Sequence, residues 1–288
     1  MRGIVRLMSL KNIHIFAPAK INLFLHITGK RADGYHTLQS LVAFADVGDE
    51  LEFSAQENFQ VEVRGPFAAA LPMAQDNLVY KAARLLSEDY KTLLQGKIIL
   101  TKNLPVASGI GGGSADAAAT LKGLVKLWNL PDDPLRLQKI AQLLGADVPA
   151  CLYGGAVWVE GTGELLTGIP DVPDIHFVLV NPLIPTPTAA VFKNFRSDFS
   201  VPIEMRGMSV ADLKTCRNDL TEASLVVTPV ARDVLTALGD TKNCLLHRLS
   251  GSGATCFGLY DSVAAARAAA ETIKKQQPDW WCVQCMKR

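Results

Sequence analysis

Residues 104–119 read Leu-Pro-Val-Ala-Ser-Gly-Ile-Gly-Gly-Gly-Ser-Ala-Asp-Ala-Ala-Ala, four glycines running into an alanine-rich segment. Nothing else in the chain constrains its fold as much. Glycine admits positive φ and close approach to the backbone. Beyond it, Ala117, Ala118, Leu121, Leu124, Val125 and Trp128 recur at three- and four-residue spacing, which predicts an amphipathic helix. A helix opening from a glycine loop presents unpaired N–H groups and the positive end of its dipole. That combination is a site for phosphate. The bland alternative is a glycine-rich surface turn without a ligand. Ser114 is placed to cap the helix, and its hydroxyl could instead reach a phosphate or a metal.

The loop is neither of two common phosphate loops. It lacks the Gly-Lys-Ser/Thr ending of a Walker A sequence. It also departs from the dinucleotide fingerprint: Ser114 stands where a third glycine or alanine belongs, and Asn103-Leu104-Pro105 separates the glycines from the strand expected at 97–102. A dinucleotide oxidoreductase is therefore disfavoured.

The chain has 288 residues, enough for two modest domains, and a net charge of +1, which gives no field to attract nucleic acid or a membrane surface. No apolar run is long enough to span a bilayer, and residues 1–8 lack a signal-peptide core, so the expected location is cytoplasmic. Six scattered cysteines suggest reduced thiols. Cys244-Leu-Leu-His247 and Cys282-Val-Gln-Cys285 mimic zinc spacing, but 280–286 reads as a strand, where residues three apart face opposite ways, so no metal site is expected there.

Strands are expected at 13–27, 37–44, 50–54, 59–64, 97–102, 156–160, 164–167, 175–181, from about 254, and at 280–286. Helices are expected at 77–90, 135–144 (ending at Gly145), from about 188, at 230–238 and at 263–275. In the first strand Lys20, Asn22, Phe24 and His26 share one face, which on pattern alone could be a solvated face. Asp33-Gly34 marks a turn, and 167–173, rich in Pro, Gly and Asp, marks a boundary. The order of elements implies α+β architecture in two units.

Three separated segments, Pro18-Ala-Lys-Ile-Asn22, residues 104–119 and Leu249 to Gly258, resemble the three motifs of the GHMP kinases. Arg31-Ala-Asp-Gly-Tyr-His-Thr-Leu38, Leu144-Gly-Ala-Asp-Val-Pro149, Glu160-Gly-Thr-Gly-Glu164 and Asn218-Asp-Leu220 resemble the branch of that family whose substrate is CDP-methylerythritol. The resemblance implies the GHMP kinase two-domain fold. Residues 1–168 would form an ATP-binding domain like domain 2 of ribosomal protein S5, and 169–288 a ferredoxin-like domain. It also implies an ATP-dependent small-molecule kinase with Mg2+ and no nucleic-acid or membrane partner. Alternatives are another small-molecule kinase of the family or a non-catalytic ligand sensor on the same scaffold.

The resemblance also assigns roles. Asp147 would be the base for the substrate hydroxyl, with Lys20 beside it as an opposite charge and Asn22 bonding the same end of the substrate. Pro105, Ala107, Ser108, Gly109, Ile110, Gly111, Gly112, Gly113, Ser114 and Ala115 would wrap the ATP phosphates, Ser114 being a possible Mg2+ donor. Asn77 and Lys102 would lie at the adenine, although Asn77 could be only a helix cap and Lys102 only a solvated strand end. Tyr35 and Phe192 would stack on the cytosine from opposite sides, with His36 bonding its edge. Thr188, or Thr186 in another register, would complete that pocket. Ser250, Gly251, Ser252 and Gly253 would close over the diphosphate.

Overall fold

The computed structural model describes residues 12–71, 76–169, 172, 174–205 and 208–288. Part of the boundary segment expected at 167–173, and all of residues 1–8, lie outside these. Two long strands, β1 (Ile13–Lys30) and β2 (His36–Ser54), form an antiparallel pair joined by the Asp33-Gly34 turn. The first half of β2 also pairs with β5 (Val157–Gly161), which continues to β6 (Leu165–Gly168). Its second half pairs with β4 (Lys97–Thr101), which lies parallel to β3 (Gln60–Arg64). The two strands expected at 37–44 and 50–54 are thus one. Asp46, Gly48 and Asp49 read locally as a turn, but Gly48 pairs with Pro18, and tertiary pairing keeps the segment extended.

Helices α1 (Leu78–Tyr90), α2 (Gly112–Leu127), α3 (Pro134–Leu144) and α4 (Val148–Tyr153) share a core with this sheet. The stripe read on α2 is the buried one: Ala117, Leu121 and Leu124 are fully covered, and each leucine contributes about 1.5–3 kcal/mol by leaving water. Gly145 ends α3, as the sequence predicts, and Asp133 caps its start by accepting from Arg136 N–H.

The second sheet is antiparallel, in the order β10 (Trp281–Met286), β7 (His176–Asn181), β9 (Cys256–Tyr260), β8 (Leu246–Leu249). α8 (Ala231–Gly239) and α9 (Val263–Gln276) share a core with it. α5 (Thr188–Asn194), α6 (Val210–Thr215) and α7 (Thr221–Val227) fill the connections. α4, α6, α7 and β8 escape sequence reading because they are four to seven residues long, too short for a period to show.

Candidate active site

The glycine loop is held by its carbonyls. Lys20 N–H donates to Ile110 O (2.9 Å), Thr255 N–H to Ser108 O (3.0 Å) and Thr186 N–H to Ala107 O (3.1 Å), while the Ser250 hydroxyl donates to Gly109 O (3.1 Å). In a planar trans peptide the next N–H lies on the opposite edge. The amides of residues 108–111 are therefore turned away from these four partners. With the first amides of α2, which have no carbonyl a turn earlier, they make a set of anion donors. Gly109 has to be glycine: its φ is +77°, and a Cβ would lie 2.5 Å from Ser250 O. Ser114 does not cap α2. Gly111, with φ +64°, takes that position, and Ser114 is the third helical residue, half-buried in the cavity wall. Ala115 N–H closes the first helical bond to Gly111 O (2.8 Å), and Pro105 O accepts from the Ser108 hydroxyl (2.7 Å).

The polar face of β1 is buried, not solvated. Lys20, Asn22 and His26 are each under a tenth exposed because the loop and the second half of the chain close over them. Lys20 Nζ lies 2.8 Å from Asp147 Oδ1 and donates to Asn22 Oδ1 (3.0 Å). Asn22 Nδ2 donates to Ser40 Oγ (2.8 Å), which fixes the amide's orientation. Asp147 stands where α4 would be capped, yet its side chain makes no capping bond and is 51% exposed. One oxygen is held by the ammonium and the carboxylate as a whole remains open to the cavity it lines.

Asn77 caps α1, its Oδ1 accepting from Val79 N–H (2.9 Å), and also lines the cavity. Lys102 is not a solvated strand end. It is 1% exposed, and its ammonium is committed to Asp49 (2.5 Å) and Asp116 (2.7 Å). Burial pushes the Asp116 carboxyl up to about 7 despite the nearby ammonium.

Towards the other part of the cavity, His36 stacks on Phe192 (centroids 5.4 Å apart, planes at 29°) with Phe195 edge-on to the imidazole. Burial and Lys30 hold His36 below the usual histidine range. Tyr35 and Phe192 both line the cavity, and His36 is the ring that stacks on Phe192. Tyr35 ends the turn, with its N–H on Asp33, and is 68% exposed at the cavity's rim; His36 begins β2. Both threonines line the cavity. Thr186 is buried and bonded to Thr228 (2.8 Å), whereas exposed Thr188 meets the Ser252 hydroxyl (2.8 Å). Gly251 and Ser252 line it too; Gly253 N–H instead closes the turn onto Ser250 O (3.0 Å).

Several supports were not assigned from sequence. Asn218 Nδ2 donates to Leu249 O and Gly251 O (both 2.8 Å), fixing the third motif, and Asp219 accepts from Ile27 N–H (2.7 Å). The Asn218-Asp-Leu220 segment stood out as a motif, but nothing local in it names these partners. Among the described residues no group of three or more His, Cys, Asp or Glu could hold a metal ion, and no helix is long and apolar enough to cross a membrane.

Lys20, Asn22, Asp147, the glycine loop, Asn77, His36 and Phe192 line one cavity of about 930 Å³. Known proteins resemble this chain in both sequence and fold. The family model for the GHMP kinases N terminal domain matches residues 77–155, and that for the GHMP kinases C terminal matches 206–279. A 4-diphosphocytidyl-2-C-methyl-D-erythritol kinase of Paramagnetospirillum magneticum is 50% identical, over 93% of this chain and 95% of that protein. One of Bradyrhizobium diazoefficiens is 46% identical, over 91% and 94%. A crystal structure of 4-(cytidine 5'-diphospho)-2C-methyl-D-erythritol kinase superposes with TM-score 0.77 and 29% identity, covering 96% of this chain and 100% of that one. A homoserine kinase from Cytophaga hutchinsonii shares the fold, with TM-score 0.69 at 19% identity over 99% and 97% of the two chains. With its loop, its Lys20–Asp147 pair and near-full-length relatives at this identity, the chain belongs to the GHMP kinases, in the group of 4-diphosphocytidyl-2-C-methyl-D-erythritol kinases.

Proposed function

We propose that the protein transfers the γ-phosphoryl group of ATP to the 2-hydroxyl of 4-diphosphocytidyl-2-C-methyl-D-erythritol, giving the 2-phosphate and ADP. The observation that carries this reading is the Lys20–Asp147 pair, which shares one cavity with the glycine loop and the His36–Phe192 stack. The named activity of relatives at 50% identity supports it.

ATP lies with its phosphates on the amides of the loop and the α2 N-terminus, and its base near Asn77. The cytidine lies against His36 and Phe192, where a neutral imidazole can both donate and accept on a base edge. Thr188 and Ser252 line its approach, and Tyr35 closes it from the rim. The hydroxyl to be phosphorylated points at Asp147, which takes its proton as the oxygen–phosphorus bond forms and the bond to the ADP oxygen breaks. Lys20 steadies the charge passing between them, and Asn22 holds the ammonium. Because phosphoryl transfer has a loose transition state, this placement and charge balance do much of the work.

Mg2+ fits this donor set as the partner of ATP, not as a resident ion. With no group of three or more His, Cys, Asp or Glu placed for a metal among the described residues, the phosphates would carry it and the Ser114 hydroxyl would be the protein donor in the same wall. When bound it neutralises phosphate charge.

Coupled ADP release with MgATP and the cytidylyl substrate tests the proposal. The expected result is turnover in the wild type and a loss of about 10²–10⁴ in rate for Asp147→Asn. ATP binding without turnover of this substrate would overturn the assignment.

A further inference from the structure

The two ends of the phosphate loop are tied to a single ammonium. At the entry, Asp49 Oδ1 accepts the backbone N–H of Asn103 (2.6 Å) and Leu104 (2.9 Å), and its Oδ2 lies 2.5 Å from Lys102 Nζ. At the exit, Asp116, the fifth residue of α2, puts Oδ2 2.7 Å from the same nitrogen. Residues 105–111 hang between these anchors. Lys102 is itself fixed by its backbone: its N–H donates to Arg64 O (2.7 Å) and its carbonyl accepts from Phe67 (3.2 Å). Its ammonium lies directly against the first turn of α2, since a Cβ on Gly112 would be 3.1 Å from Nζ.

All three side chains are at most 2% exposed. Two carboxylates and one ammonium in that position are a poor device for stability alone, because apolar residues of similar volume often serve a core as well or better. The arrangement also leaves Asp116 Oδ1 without a hydrogen-bond partner, although Asp116 lines the nucleotide cavity. What the triad does supply is a fixed geometry. Donors for a phosphate must already stand at hydrogen-bond distance, and a displacement of about 1 Å can cost about a hundredfold.

We propose that Asp116 and Lys102 are positioning residues for nucleotide binding: the buried Asp49–Lys102–Asp116 triad sets the distance between the end of β4 and the start of α2, and so the alignment of the loop's amides. The claim rests on the reading of this loop as the ATP site. It replaces an adenine-contacting role for the Lys102 side chain, whose ammonium is already committed.

Asp116→Asn keeps the shape but weakens the hold on the ammonium. It is measured by calorimetric ATP binding with magnesium, by steady-state kinetics and by thermal unfolding. The expected result is an unchanged fold, a Kd and KM for ATP raised about tenfold or more, and an acceptor KM within about twofold. The apolar pair Lys102→Met with Asp116→Leu is expected to fold and to lose ATP affinity further. ATP affinity within twofold of wild type in a folded variant overturns the proposal. Failure of both variants to fold overturns it too, because the triad would then determine the fold and not the loop. Failure of the wild type to bind ATP removes the site reading itself, and is told apart because no variant is needed to see it.

Discussion

Asp147 owes its place to a turn behind it. In the β5–β6 turn Gly163 has φ +119°, and a Cβ there would lie 2.7 Å from Ala146 O, the carbonyl immediately before Asp147. The turn cannot yield easily, because Glu164 accepts from both the N–H (2.6 Å) and the hydroxyl (2.8 Å) of Thr162. Gly163→Ala must therefore move Ala146 and with it the carboxylate. We expect kcat to fall about 10- to 100-fold, the effect of a sub-ångström to ångström displacement of a reacting group. KM for ATP should stay within about twofold, since the loop is held by other segments. Steady-state kinetics in both substrates check this, and an unchanged kcat would show that the turn does not position Asp147.

Individual elements of the second half act on the site through a buried cation. Arg248 on β8 donates to Leu23 O (2.5 Å) on β1, and to Leu213 O (2.9 Å) and Cys216 O (2.5 Å) at the end of α6. Burial lowers its pKa to about 10, so it stays charged at neutral pH. Leu23 directly follows Asn22, so the guanidinium fastens the strand that carries Lys20. Arg248→Met leaves these buried carbonyls without their donor, a loss of about 2–4 kcal/mol in folding stability. Urea unfolding measures it, and a loss below about 1 kcal/mol would count against the linking role. None of this is visible in the sequence, where Arg248 precedes a glycine-rich turn and nothing marks a partner 225 positions away. The glycine loop, the α2 stripe and the polar face of β1 were legible because each repeats a local spacing. Whether that face was solvated or buried was not, since its covering groups, Ser250 and Asp147, come from distant segments. The small α6 did carry a signal, a Ser209/Asp212 capping box, in a stretch without apolar period.

The molecule as a whole joins its two sheets through a core that belongs to both. Ile21, Phe24, Leu41 and Trp158 from the first sheet pack in one cluster with Phe177, Leu179, Phe257 and Leu259 from the second. At the chain's end Arg288 N–H donates to Phe44 O (2.8 Å), and Lys287 bridges to Ala45. The loop's own carbonyls are held from both sides, by Lys20 on one and by Thr186, Ser250 and Thr255 on the other. Separating the sheets would expose that shared core and release the phosphate site in the same event, so neither half has a boundary at which unfolding can stop. Calorimetry should accordingly give one transition in the absence of ligand, with no resolved step for either sheet. If the loop held by both halves is the ATP site, as proposed, saturating ATP with magnesium should move the entire transition upward, by about 2.7 kcal/mol at a hundred times Kd. Two transitions, of which ATP moves only one, would mean that the loop is assembled by the first half alone and that the contacts from Thr186, Ser250 and Thr255 are incidental to it.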